Sequence, residues 1–110
     1  MRTSLAPAQW DSVAEGVLRG PAGATFTRRS SRIKRREADA LIAAGTPLVL
    51  YDYGGGRLDW CDGDDARGAW DEVRGALVSD TPRPRGTMLW TGGVWATPAN
   101  DVVLILTGHC

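Results

Sequence analysis

The first hydrophobic pattern in the chain is helical. Trp10, Val13, Ala14, Val17 and Leu18 recur at the 3.6-residue period within residues 7–19, which sets them on one face of an amphipathic helix. Pro7 suits the first turn of that helix, and Gly20 followed by Pro21 suits its end. A short strand is expected around Ala24–Arg28. A second helix is predicted from Ser31 or Lys34 to Ala44. Its apolar residues are Ala38, Leu41 and Ile42, with Ile33 extending the stripe, and Gly45 and Pro47 end it. Ala66, Ala69, Trp70, Val73, Ala76 and Leu77 form one continuous stripe. They predict a third helix over Asp65–Val78, capped by the carboxylate of Asp64 or Asp65.

Other stretches read as strands. Leu48–Tyr53 is one, Gly54–Gly56 a turn, and Arg57–Cys61 the return, where Leu58 and Trp60 alternate with Arg57, Asp59 and Cys61. Gly92-Gly93 lies between Thr87–Thr91 and Val94–Thr97 and reads as a two-residue hairpin turn. Such a turn would set Trp90 opposite Trp95 as a cross-strand pair on one face. Pro98–Asp101 is a further turn. Val102–Thr107 is uniformly apolar, as in a central strand covered on both faces. Together these elements predict a single α+β domain over residues 1–110. Its small antiparallel sheet would have four to six strands, with about three helices packed on one face.

Composition narrows the setting. With 43% hydrophobic and 24% charged residues the chain is globular rather than disordered. The longest apolar runs, Leu48–Tyr51 and Val102–Leu106, fall well short of the ~18 residues of a membrane helix. The N-terminus lacks the apolar stretch of ~7–15 residues of a secretory signal. A cytoplasmic protein without membrane contact is therefore expected, with Cys61 and Cys110 as free thiols. The bias toward Ala, Gly, Arg and Asp, with a single Lys, points to a GC-rich bacterial, phage or plasmid gene.

Net charge is zero but unevenly placed. Residues 1–36 hold eight Arg or Lys against two acids (+6), residues 37–80 three against ten (−7), and residues 81–110 two against one (+1). Arg28, Arg29, Arg32, Lys34, Arg35 and Arg36 place six cations within nine residues. At a helix start they can follow a phosphate backbone, and Arg favours bidentate contacts. The alternative is a solvated face whose Arg residues pair with the acids between residues 59 and 72.

The remaining candidates are weaker. Asp59, Asp62, Asp64 and Asp65 lack the alternation of a calcium loop and serve caps and turns more simply. Cys61 with His109 is a conceivable nucleophile and base, but His109 is one residue from the chain end. No metal and no cofactor are expected. Trp90 and Trp95 would be rigid anchors for a protein partner if exposed. The reading favoured by these features is a non-enzymatic protein–protein interaction or regulatory module of a bacterial mobile element or phage. Its partner would be an unknown protein or a second copy. The alternative is a nucleic-acid-binding protein using residues 28–36, and the second alternative a small cysteine-dependent enzyme.

Overall fold

The computed structural model describes residues 2–5, 12–14, 17–19, 24–30, 32–52, 57–77 and 89–109. Eight strands in this part of the chain form one sheet: β1 (Arg2–Leu5), β2 (Ser12–Ala14), β3 (Val17–Arg19), β4 (Thr25–Ser30), β5 (Leu48–Asp52), β6 (Arg57–Cys61), β7 (Leu89–Ala96) and β8 (Val102–His109). Two helices accompany them, α1 (Arg35–Ala43) and α2 (Gly63–Val73), the latter running into a 3-10 turn at Arg74–Ala76. The strand order is β1-β6-β5-β8-β7-β4-β3-β2. Its centre is the five-stranded array β6-β5-β8-β7-β4, and the short outer strands extend it on both sides.

The α+β class stands, while the sheet is mixed rather than antiparallel, because β5 pairs parallel to β8. The reason lies in two helical crossovers. The chain passes from β4 through α1 to β5, and from β6 through α2 to β7, and each crossover joins strands running the same way. A helix is the ordinary means of returning a chain parallel to itself. The two units interleave, and they meet along the β5–β8 seam. Both helices lie on one face. Ala38 and Ile42 of α1 and Ala66, Ala69, Trp70 and Val73 of α2 join Leu48, Leu50, Cys61, Leu104 and Leu106 in one buried cluster. The opposite face carries a second cluster, Phe26, Val49, Leu58, Val103 and Ile105, ringed by half-buried Ala24, Tyr51, Trp60 and Trp95. As expected for Val102–Thr107, β8 is central and contributes to both clusters.

The start of the chain departs from its helical period. Residues 12–14 and 17–19 are strands, β2 on β3 and β3 on β4, with Val17 beside Thr27 and Leu18 beside Phe26; residues 7–11 lie outside the described part. Intrinsic helix preference is a weak term. Here Val13 and Val17 are β-branched, and β4 offers an open ladder edge that a helix would leave unpaired. The fold thus has two described helices where about three were predicted.

The second departure is at Gly92-Gly93. These glycines are mid-strand: β7 runs unbroken from Leu89 to Ala96, and Gly92 and Gly93 pair with Leu106 and Ile105 of β8. The hairpin turns instead at Thr97–Asp101. There Thr97 and Asp101 exchange hydrogen bonds, and Asn100 takes the left-handed conformation at φ 67°. Pro98 pre-sets that turn, and Asn tolerates a positive φ. A Cβ on Gly92 would run into the Leu106 side chain and lie 3.1 Å from the Ile105 carbonyl and 3.4 Å from Ile33 Cγ2. The glycine is there because the backbone is closely approached, as mid-strand glycines often are. The turn expected at Gly54–Gly56 lies outside the described residues.

Helix ends follow local rules. Gly45 at φ 89° closes α1, donating to the Ile42 carbonyl, while Thr46 N–H bonds the Leu41 carbonyl, a paired C-terminal cap. At α2 the cap residue is Asp62 rather than Asp64 or Asp65, and its side chain accepts from the Trp60 indole at 3.3 Å instead of capping. Asp64 and Asp65 sit in the first turn, where negative charge complements the helix dipole.

Candidate nucleic-acid interface

Two elements carry the basic segment. Arg28 and Arg29 are on β4, Arg32 and Lys34 in the link to α1, and Arg35 and Arg36 open the helix. Alternation sets the link: Ile33 is 3% exposed and belongs to the helix-side core, while Arg32 and Lys34 on either side of it are exposed. Ile33 rests over Gly92, so the absent side chain in β7 is what lets the link dock. Ser30 Oγ donates to the Arg32 carbonyl at 2.6 Å and tightens the bend.

On β4 the register with β7 slips. Thr27 faces Ala96, Arg28 faces Trp95, and Ser30 faces Val94. Arg29 is therefore an extra residue, a bulge that leaves two arginines opposite one tryptophan. The Arg28 guanidinium lies 5.8 Å from the centroid of the Trp95 ring, near the outer limit of a cation–π contact. Trp95 is half-buried against the second core cluster.

One member of the segment has a structural role. Arg35 Nε donates to the Arg74 carbonyl at 3.0 Å, at the end of α2. Arg74 in turn grips Asp39 of α1 with Nε to Oδ1 and a second nitrogen to Oδ2, both at 2.7 Å, and the Trp70 indole donates to the same carboxylate at 2.8 Å. This bidentate clamp joins the two helices. The Arg74 hydrogen bonds first, then that of Trp70, hold the Asp39 carboxyl at about 2, against an ordinary 3.8. A carboxyl with a depressed folded value stabilises the fold above its unfolded value, and that contribution is lost as pH falls from about 4 to about 2. Asp39 is partly solvated, so screening keeps the effect below ~1 kcal/mol. Asp39→Asn is expected to lower the urea midpoint slightly at pH 7, and the gap to the wild type is expected to shrink as pH falls from about 4 to about 2. A gap of the same size at pH 7 and pH 2 would assign the loss to packing.

The other cations behave differently. Among the described residues, Arg29, Arg32, Lys34 and Arg36 make no ion pair, and all four are exposed. The pairing of these arginines with the acids of residues 59–72 is not found. Three of those acids have other partners: Asp64 pairs with Arg67 one helical turn on at 3.0 Å, Asp62 takes the Trp60 indole, and Asp59, 2% exposed on β6, has interactions of its own.

The tryptophans do not form the expected pair. Trp90 and Trp95 are five residues apart on one strand, hence on opposite faces. Trp90 packs with the helix-side core and sits between Gly108 and Leu77, whereas Trp95 packs with the other cluster. Cys61 and His109 are also set apart. Cys61 is level with Leu48 and hence Leu104, and His109 lies five residues further along β8 and two strands away. The strand spacings give a backbone separation of about 19 Å, and the Cys61 thiol is fully buried. No group of three or more His, Cys, Asp or Glu among the described residues is placed to hold a metal ion. No described helix is long and apolar enough to cross a membrane.

The Arg28–Trp95 contact is the feature that sequence reading passed over. The trace of it was present, since both residues lie in strands, but only the register makes them neighbours. No protein-family model, curated protein or solved structure matches the chain.

Proposed function

We propose that the chain is a non-enzymatic nucleic-acid-binding module whose phosphate-contacting surface is the β4–α1 segment. The observation that supports this reading is the set of exposed cations, Arg29, Arg32, Lys34 and Arg36, that no carboxylate of the described residues neutralises. Arg28 adds a fifth charge beside them. Maintaining like charges this close, at the start of a helix whose dipole they oppose, costs stability. A polyanion would remove that cost and release counterions from its own backbone. The protein-partner reading is weaker on this geometry, because Trp90 and Trp95 face opposite sides of the sheet and cannot act as one anchor.

Fluorescence anisotropy with labelled single-stranded and duplex oligonucleotides tests the reading. Affinity for a single strand is expected to fall with salt with a log–log slope of about −3 to −4, as five neutralised phosphates would give. Replacing Arg28, Arg29, Arg32, Lys34 and Arg36 by Gln is expected to abolish binding without lowering the melting temperature, since it also removes the repulsion among these charges. Arg35 stays in place because of its bond to the Arg74 carbonyl. Binding that ignores salt, or survives in the five-fold variant, would exclude the β4–α1 surface.

A further inference from the structure

On β7 the second core cluster is bordered by Trp95, with the Arg28 guanidinium of β4 above its ring, and the unneutralised cations follow along the chain from Arg28. We infer that Trp95 is a base-stacking site and that the ligand is single-stranded nucleic acid, with Arg28 and Arg29 holding the flanking phosphates. This rests on the nucleic-acid reading above and specifies the ligand of the same surface.

Three observations converge on it. First, Trp95 is half-buried, packed against the second core cluster while the residue stays partly exposed. A ring so held loses little freedom on binding. Second, the Arg28 guanidinium lies over the Trp95 ring, 5.8 Å from its centroid, near the outer limit of a cation–π contact. A cation already held at the ring edge is placed to meet the phosphate of a base that stacks there. Third, the bulge at Arg29 places a second cation at the same register position. A stacked base with its phosphate alongside matches one ring bordered on the β4 side by two cations. A duplex keeps its bases stacked on each other and offers such a ring no base face, whereas a single strand can turn a base out.

The test uses three probes of equal length: a short oligothymidylate, the same backbone with abasic sites, and a duplex. With the wild-type chain, oligothymidylate is expected to quench tryptophan fluorescence and to bind about 5- to 100-fold tighter than the abasic strand, the range of one stacked base. Trp95→Ala is expected to lower oligothymidylate affinity to the abasic level and leave abasic binding and its salt slope unchanged. Trp95→Phe, which keeps an aromatic surface in the cluster, guards against loss of folding. It is expected to retain part of the preference while losing most of the quenching. Equal affinity for thymidylate and abasic strands, or a preference that Trp95→Ala leaves intact, would overturn the stacking site while the phosphate surface stands. Tighter binding of the duplex would overturn the single-strand assignment. If none of the three probes binds, the nucleic-acid reading itself fails and the inference with it.

Discussion

Gly92→Val is expected to be the most damaging single substitution in the described chain, and Gly92→Ala to cost about 2 kcal/mol, near 10 °C in melting temperature. The sign is decided by what a Cβ would meet. Its nearest neighbour is the Leu106 side chain, which is fully buried, with Ile33 at 3.4 Å on another side. A leucine end is normally a soft obstacle, since it can rotate. Here rotation is blocked by the surrounding core, and the Ile105 carbonyl at 3.1 Å is backbone that cannot swing away. Valine adds two further methyls in the same place. Gly68, exposed in α2 with nothing within 4 Å of a new Cβ, supplies the contrast: Gly68→Ala is expected to stabilise by about 0.5–1 kcal/mol, because alanine loses less backbone entropy in a helix. Thermal melts of both alanine variants check the pair. Equal shifts in one direction would mean that the close approach at Gly92 does not control stability.

The same glycine shows where the sequence was legible and where it was not. Elements whose signals are local came through: Leu48–Asp52, Arg57–Cys61, the helix closed by Gly45 and the turn at Pro98–Asp101 match their patterns, while the helix predicted over Asp65–Val78 runs Gly63–Val73 and gives way to a 3-10 turn at Arg74–Ala76. These depend on period, caps and turn residues within a few positions. Gly92-Gly93 carries a strong local turn signal, but the turn is decided by Pro98 and Asn100 further on, and the glycines answer to Leu106 and Ile33 across the core. Nothing within ten residues of Gly92 announces either partner. The segment over residues 7–19 fails in the same way, since its helical period is real and its described residues are used as strands beside β4. The basic segment was legible as charge. That Arg35 would be bound to α2 while its neighbours remained exposed depends on the α1–α2 packing, which composition does not contain.

The second large effect tests the Gly92 contact from the other side. Leu106→Ala empties a fully buried site in the middle of β8 and is expected to cost about 2–5 kcal/mol by lost transfer energy and residual cavity. Gly92 and Leu106 are direct register partners, and the methyl that Gly92→Ala adds points into the volume that Leu106→Ala vacates. The double variant is therefore expected to be more stable than the two separate losses imply, with a coupling of about 0.5–3 kcal/mol. Denaturant midpoints for the four proteins of the cycle give the number. Additive losses would show that strain at Gly92 comes from the Ile105 carbonyl alone, which no side-chain change removes. A favourable coupling would place the strain at Leu106 and carry a consequence for the basic surface. Ile33 meets the same space at 3.4 Å, so the packing that excludes a side chain from position 92 also seats the link between β4 and α1. Arg32 and Lys34 point outward because Ile33 between them is held down, and the charge pattern of the surface is thereby set from within the core.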